Sequence, residues 1–211
     1  MARYLAPRSA ARRAVRVRRS HNRHLPGAIT LRSLARVSGL SSHHLQRVFS
    51  GIIGVSPRTF CEFHRIDRLK RLLRDGSSVS AAAYDAGYGS LRAVYERSDR
   101  CLGMTPAAYK RGGQGIDVRY VTIGTELGEA LVGASSSGIC KVALGLAAGT
   151  LRDELEGELP AARISRLTSV PIAFTRAILR AEREDPLVAR LDWDARQSVF
   201  RANVWTALTI Q

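Results

Sequence analysis

Cysteine is scarce in this 211-residue chain, and its placement excludes two common uses. The three cysteines, Cys61, Cys101 and Cys140, are far apart, and no two form a Cys-x-x-Cys pair. An odd number of scattered thiols predicts neither a disulfide framework nor a zinc site, and it fits a reducing cytoplasm. The sequence therefore predicts no metal site and no cofactor.

Long apolar runs are also missing. No stretch approaches the roughly 20 apolar residues that a membrane-spanning helix needs, so we expect no membrane partner and a cytoplasmic protein. The first 24 residues contain eight arginines and no acid, but they lack the apolar centre of a signal peptide. We interpret residues 1–27 as a basic flexible arm that can reach along DNA. A misassigned start codon would explain the same composition.

Acidic residues are scarce in one half of the chain only. Residues 1–113 hold 22 Lys and Arg against 6 Asp and Glu, a net charge of +16, whereas residues 114–211 hold 11 against 12, a net charge of −1. The positive electrostatic field of residues 1–113 favours a polyanionic partner such as nucleic acid. A basic surface that serves solubility alone is the alternative interpretation.

A repeated heptapeptide indicates an internal duplication. GVSPRTF begins at Gly54 and GMTPAAY begins at Gly103, 49 residues later. Each contains a hydroxyl residue, Ser56 or Thr105, followed by a proline. These are typical of a helix N-cap and of the first helical position, where the missing N–H of proline costs nothing. Each phrase therefore predicts the start of a helix.

The duplication extends backward from both phrases. Apolar residues recur at helical spacing from Thr30 and again from Ser78, for example Leu31 and Leu34 in the first copy. Gly39 and Gly87 fall between two short helices in each copy, where a left-handed backbone allows a tight turn. The pattern predicts two helix-turn-helix units. A helix from residue 57 to residue 74 links them and ends at Asp75-Gly76.

The second helix of each unit is the predicted reading helix. Its apolar residues are expected to face inward: Leu45, Val48 and Phe49 in the first unit, and Val94, Cys101 and Leu102 in the second. The residues expected to face outward and to contact DNA are His43, His44, Gln46, Arg47, Arg92, Tyr95, Glu96 and Arg97. Gln pairs with adenine and Arg with guanine, at about 1–3 kcal/mol of discrimination each. A solvated polar face is the alternative for each position, and His44 has a phosphate contact as a further alternative.

The nearly neutral half has a different pattern. Alternation through Val118, Tyr120 and Thr122 predicts a strand, and a turn at residues 135–138 predicts a hairpin. Helical patterns follow at Thr150–Leu159 and Val170–Arg183, and a last amphipathic helix is predicted around Phe200, Val204, Trp205 and Leu208.

Residues 28–112 resemble the AraC-type DNA-binding domain of bacterial transcription regulators. The resemblance is carried by the paired units, the linking helix and the segment AGYGSLRAVYERSDRCLGMTPAAYK. It implies an all-α tandem helix-turn-helix domain, with His43, Gln46 and Arg47 at base-reading positions and RNA polymerase as a further partner. Two linked units can enter two successive major-groove segments of double-stranded DNA. Ser98 and Glu96 depart from the family pattern, so we expect the second unit to contribute less affinity.

Residues 116–211 resemble the amino-terminal part of the O6-alkylguanine-DNA alkyltransferase domain. The matching phrases are VRYVTIGTELGEALVGASSSGICKVALG and VFRANVWTALTI. The resemblance implies a small α/β, ribonuclease H-like subdomain. The expected fold class is therefore α + α/β, and the whole chain resembles the Ada-type adaptive-response regulators.

Two family features are missing from the sequence. No Pro-Cys-His-Arg word occurs, and no amino-terminal module with four cysteines is present. Cys140 has no neighbouring His or Arg to lower its pKa, so we expect it to be a core residue rather than a nucleophile. The sequence thus predicts a C-terminally truncated alkyltransferase-like subdomain without catalytic residues. We expect the truncation to leave Val204, Trp205 and Leu208 exposed, and residues 116–211 to be less protected from hydrogen exchange than residues 28–112.

The first hypothesis for function is a sequence-specific DNA-binding transcription regulator, with activation and repression both open. The second is a methylated-DNA–protein-cysteine S-methyltransferase acting in DNA repair, with activity expected in a full-length form. The third treats residues 116–211 as an interaction or ligand-sensing module.

Overall fold

A computed structural model describes residues 35–36, 39, 41–183, 186, 188–189 and 191–209. The predicted arm at residues 1–27 and the first-unit positions Leu31 and Leu34 lie outside these residues. The helical half contains α1 (Ser42–Ile53), α2 (Pro57–Arg74), α3 (Val79–Asp85), α4 (Leu91–Leu102) and α5 (Pro106–Lys110). The sheet half contains β1 (Asp117–Thr125), β2 (Gly128–Ala134), β3 (Ile139–Gly145), α6 (Ala148–Glu158), β4 (Arg163–Arg166), α7 (Ile172–Glu182) and α8 (Trp193–Thr209).

The two helix starts predicted from the repeated heptapeptide are confirmed. Ser56 Oγ accepts the N–H of Thr59 at 3.1 Å, and Thr105 Oγ1 accepts the N–H of Ala108 at 3.2 Å. Proline takes the first helical position in both helices. Helix α2 runs to Arg74 and is capped by Asp75, as predicted.

The turn in the second helix-turn-helix unit is a Schellman motif. The N–H of Gly87 bonds to Tyr84 O at 2.9 Å, and the N–H of Tyr88 bonds to Ala83 O at 3.0 Å. This arrangement requires a left-handed residue, and Gly87 has φ +90°. In the first unit Gly39 has φ +68°, and its N–H bonds to Ala35 O at 3.0 Å. Both glycines therefore lie at turns.

The core of the helical half forms where α1 meets the linking helix α2. Leu45 and Phe49 of α1 are fully buried, and the ring of Phe49 meets the ring of Phe60 edge-on at a centroid distance of 5.3 Å. Phe60 in turn contacts the His64 ring at 4.4 Å. Edge-to-face aromatic pairs stabilise beyond the area that they bury, so this cluster orients the first reading helix on α2.

The sheet has four strands in the order β3-β2-β1-β4. Strands β1, β2 and β3 form an antiparallel meander, with Val121 opposite Val132 and Leu131 opposite Ala143. Strand β4 pairs parallel to β1, with Val118 opposite Ile164. The sequence pattern missed β4 because this short edge strand is mostly exposed and carries two arginines in four residues. A parallel pairing reached by a crossover helix leaves no local signal.

Helix α8 joins the two halves. It contacts α7 and β3 within the sheet half and α2 in the helical half. Strand β3 also contacts α4, so the sheet half touches both the linking helix and the second helix-turn-helix unit. Among the described helices, none combines the length and the apolar character needed to cross a bilayer.

The expectation that the last helix exposes an apolar patch is wrong for two of its three residues. Val204 is fully buried and Trp205 is 7% exposed, whereas Leu208 is half-buried. The Trp205 ring lies 6.1 Å from the ring of Phe63 in the linking helix. The helical half therefore covers the surface that we expected to be open.

Candidate nucleic-acid interface

The first reading helix, α1, presents a polar face with no acidic residue. Ser41 caps the helix, because its Oγ accepts the N–H of His44 at 3.3 Å. Leu45 and Phe49 anchor the opposite side in the core, and Val48 is half-buried. The side chains that remain exposed are those of His43, His44, Gln46 and Arg47. The helix thus brings together the four candidate residues of the first unit.

The second reading helix, α4, presents a face of mixed charge. Ser90 Oγ accepts the N–H of Ala93 at 3.2 Å at the start of the helix, and Val94 is buried. The exposed candidate residues are Arg92, Tyr95 and Glu96. The backbone of Arg97 is helical, but its side chain lies outside the described part of the chain, as does that of Cys101.

Glu96 reduces the positive charge of α4. Its Oε1 accepts the Arg92 Nε–H at 2.6 Å, in a pair whose side chains are 87% and 59% exposed for Arg92 and Glu96. Such an exposed pair one helical turn apart contributes little to stability. It does neutralise part of the positive charge that Arg92 would otherwise present to phosphate. The pair gives a physical reason to expect less affinity from the second unit.

Ser98 is the other departure of α4 from the family pattern, and the structure accommodates it. The residue is 2% exposed, and its hydroxyl donates to Tyr95 O at 2.9 Å. A buried hydroxyl needs such a partner to avoid the cost of desolvation. The small side chain is therefore accommodated in the core without a lost hydrogen bond.

The two described thiols lack the environment of a nucleophile. Both Cys61 and Cys140 are buried. Burial raises the pKa of the Cys61 thiol to about 12 and that of Cys140 to about 11, although Arg65 and Lys70, respectively, act in the opposite direction. The thiolate is the reactive form, and a high pKa keeps both residues as neutral thiols at physiological pH.

We expect Cys61 and Cys140 to resist alkylation in the folded protein. At pH 8 about one Cys140 side chain in a thousand is ionised when its pKa is near 11, because each pKa unit above the pH is a tenfold change. Iodoacetamide labelling followed by peptide mass spectrometry should modify neither residue until guanidinium unfolds the chain. Rapid labelling of native Cys140 would contradict the burial and the pKa.

A buried ionic cluster, which the sequence analysis missed, joins the two halves. Glu158 is 7% exposed, and its carboxylate accepts from Lys141 Nζ at 2.7 Å, Tyr109 OH at 2.6 Å and Lys70 Nζ at 3.3 Å. Arg74 lies 3.9 Å away. Burial opposes ionisation of Glu158, but Lys70 and Lys141 together outweigh it and hold the pKa of Glu158 well below its usual range. Burial and the neighbouring carboxylate raise the pKa of Tyr109.

A second polar contact joins α8 to the linking helix. Arg201 Nη2 lies 2.9 Å from Asp67 Oδ1, and Arg201 Nε donates to Val142 O at 2.9 Å. The guanidinium also lies over the ring of Phe63, 5.3 Å from its centroid. One arginine therefore binds α2 and β3 together. Arg201 is 134 positions from Asp67 and 59 positions from Val142, so no local pattern could have found these contacts.

Comparisons with known proteins agree with this architecture. Residues 34–112 match the family described as "Helix-turn-helix domain". The chain is 34% identical over 182 residues to the "Bifunctional transcriptional activator/DNA repair enzyme Ada" of Escherichia coli (strain K12), covering 85% of this chain and 51% of that protein. Residues 34–112 therefore contain a helix-turn-helix domain, and the chain is similar to this Ada protein over 85% of its own length.

Further relatives show the same similarity. The chain is 31% identical over 180 residues to the "Regulatory protein ada" of Salmonella typhimurium, covering 85% of this chain and 51% of that protein. A "Putative AraC-like transcription regulator" of Streptomyces antibioticus is 34% identical over 83 residues, covering 39% of this chain and 27% of that protein. The chain thus spans about half the length of the Ada relatives that it matches. No solved structure gives a significant match.

Proposed function

We propose that the chain is a sequence-specific DNA-binding transcription regulator that reads duplex DNA through α1 and α4. The observation that carries the proposal is the face of α1, where His43, His44, Gln46 and Arg47 are exposed on a helix whose other side is anchored by Leu45 and Phe49. A helix-turn-helix places such a face in the major groove. The net charge of +16 over residues 1–113 supplies the attraction to phosphate.

The linking helix supports binding to two successive major-groove segments by one chain. Helix α2 has 18 residues, so it is roughly 27 Å long at 1.5 Å per residue. Successive major-groove segments on one face of B-DNA lie about 34 Å apart. A single helix of this length between the units is a suitable spacer. In this proposal α1 supplies more affinity than α4, because Glu96 faces outward beside Arg92.

The relatives extend the proposal to a transcription partner and to the sheet half. The name of the Escherichia coli relative includes transcriptional activator, which favours RNA polymerase as a partner of this chain and a location at the nucleoid. The strand order β3-β2-β1-β4, with a meander followed by a parallel strand, supports a ribonuclease H-like alkyltransferase subdomain. The boundaries of the two proposed domains are 28–112 and 116–211.

The alternative of methyl transfer finds no support at the described thiols. Acceptance of a methyl group requires a thiolate that can reach its substrate, and both Cys61 and Cys140 are buried with raised pKa values. DNA repair, which the name of the Escherichia coli relative includes, is therefore not part of the function proposed for this chain.

The experiment that tests the proposal begins with selection of preferred duplexes from a random library by the full chain. Binding of the selected duplex is then measured by fluorescence anisotropy for the wild type, Arg47→Ala and Arg180→Ala. Arg180 is exposed on α7 in the sheet half, so its replacement removes the same charge away from the reading helices.

We expect Arg47→Ala to weaken binding by about 5- to 150-fold, the equivalent of about 1–3 kcal/mol, and to relax the base preference at one position. Arg180→Ala should change the affinity by less than about twofold. If selection enriches no sequence, or if both variants lose the same small amount, the proposal of sequence-specific reading is wrong.

A further inference from the structure

Both reading helices end at equivalent glycines, and the sheet half contacts both ends. Gly54 follows α1 and Gly103 follows α4, at the same position of the repeated heptapeptide. Both have left-handed backbones, with φ +85° and +64°. The last carbonyl groups of a helix have no partner within the helix, so each end offers acceptors to a neighbouring element. In this chain a different element of the sheet half occupies each end.

Asn203 of α8 occupies the end of the first reading helix. Its Nδ2 donates to Ile53 O at 2.7 Å, the last residue of α1, and to Val199 O at 2.9 Å within α8. The side chain lies so close to Gly54 that a Cβ there would overlap the amide oxygen of Asn203. The fit therefore depends on the glycine, and it ties α8 to α1 across 150 residues of sequence.

The turn between β2 and β3 occupies the end of the second reading helix. The hydroxyl of Ser135 donates to Gly103 O. A Cβ on Gly103 would lie 2.6 Å from Gly138 O and 3.0 Å from Cys140 Cβ, so glycine is again required for the approach. The same hydroxyl accepts the N–H of Ser137 at 3.0 Å, which holds the turn in shape.

The linking helix is held by the same half. Arg201 binds Asp67, and Lys70 bonds to Glu158 and to the carbonyl oxygen of Cys140. The sheet half thus contacts α1, α2 and α4. Both reading helices therefore pack against the sheet half as well as against the rest of the helical half.

We propose that Asn203 and Ser135 are positioning residues for DNA recognition, which hold the two reading helices at the separation that two successive major-groove segments require. This inference rests on the function proposed above and assigns the sheet half a part in it. When one base pair is inserted between the two contacted DNA segments, one segment moves by about 3.4 Å along the DNA axis relative to the other and rotates about that axis. Helices held at a fixed separation therefore discriminate strongly against altered spacing. Reading helices whose separation is not fixed tolerate the altered spacing.

The test measures discrimination between spacings rather than affinity alone. The selected duplex is compared with a duplex that has one base pair inserted between its two contacted segments, as mapped by footprinting. The readout is the ratio of the two dissociation constants for each form of the full chain. Thermal melting of every variant is followed by circular dichroism, so that a loss of stability is recorded separately.

Each positioning variant has a matched control. Asn203→Ala is compared with Gln197→Ala, because Gln197 is also an amide of α8 but donates to Leu144 O at 2.7 Å inside the sheet half. Ser135→Ala is compared with Ser136→Ala, which changes the exposed neighbouring serine. Ser135→Thr retains a hydroxyl and should restore the wild-type ratio.

We expect the wild type to bind the expanded duplex about tenfold more weakly than the selected one. In Asn203→Ala and in Ser135→Ala the ratio should fall by about threefold, the size of one hydrogen bond, while the controls keep the wild-type ratio. A purely structural role would lower the melting temperature and leave the ratio unchanged, which would overturn the inference. Failure to select any duplex would instead show that the proposed function is wrong.

Discussion

Replacing Glu158 with glutamine should lower the free energy of unfolding by about 3–5 kcal/mol at pH 7. The carboxylate neutralises Lys70 and Lys141, whose side chains are 12% and 13% exposed, at distances of 3.3 Å and 2.7 Å. Glutamine retains the size of the side chain but removes the charge, so two nearly buried ammonium groups are left facing each other. Removal of one partner from a buried ionic cluster costs far more than the loss of a surface pair.

The measurement is urea unfolding followed by circular dichroism, with Glu156→Gln as the control. Glu156 lies on the same helix and pairs with Arg152 at 2.7 Å, but both side chains are about half exposed. Its replacement should cost less than about 1 kcal/mol. Equal effects of the two variants would show that the Glu158 cluster is not a buried anchor.

The effect of Glu158 also has a defined pH dependence. The pKa of Glu158 in the folded protein lies below its ordinary value of 4.5, so the ionised carboxylate stabilises the fold fully above that value. The contribution is lost as the pH falls below about 4.5 towards the folded-state pKa. The difference between wild type and Glu158→Gln should therefore shrink on acidification and stay constant above about pH 6.

Replacing Trp205 with alanine should destabilise the chain by about 3–5 kcal/mol. The ring is 7% exposed and packs against Phe63 of the linking helix, so its loss opens a cavity between the two halves. The chain has two tryptophans, and Trp193 at the start of α8 is 36% exposed. Trp193→Ala is therefore the matched control, and it should cost less than about 1 kcal/mol.

Unfolding of the wild type should follow one transition, because Trp205, Arg201 and Glu158 all cross between the halves. We accordingly expect the halves to protect each other from hydrogen exchange, in place of the weaker protection of residues 116–211 inferred from sequence. Tryptophan fluorescence and circular dichroism should report the same midpoint. Two separate transitions, or a Trp205→Ala variant as stable as Trp193→Ala, would show that the halves fold independently.

The reading helices could be predicted from sequence because local rules determine them. Ser56 caps α2, and apolar residues at helical spacing bury Leu45 and Phe49 while Arg47 stays exposed. Each of these features depends on residues within one or two helical turns. Hydroxyl caps, proline at the first position and helical periodicity all act at that range.

The contacts between the helical half and the sheet half could not be predicted in the same way. Glu158 shares a helix face with the buried Leu151 and Leu155, but an acidic residue does not signal burial, and its charge is balanced by Lys70, which is 88 residues away. Trp205 was expected at an open surface because the sequence does not show that α2 covers it. Strand β4 lacks an alternating pattern, since β1 supplies its hydrogen bonds and solvent covers most of its side chains.

The sequence by itself thus determined the helix-turn-helix domain, the helix that links its two units, the basic half of the chain and the exposed polar residues of α1. Only the tertiary structure decided that Asn203 and Ser135 meet the ends of those helices and that a buried ionic cluster joins the halves. The physical reason is the sequence separation over which each kind of interaction acts. Caps and periodicity are encoded within a few residues, whereas contacts between the halves depend on how distant elements pack.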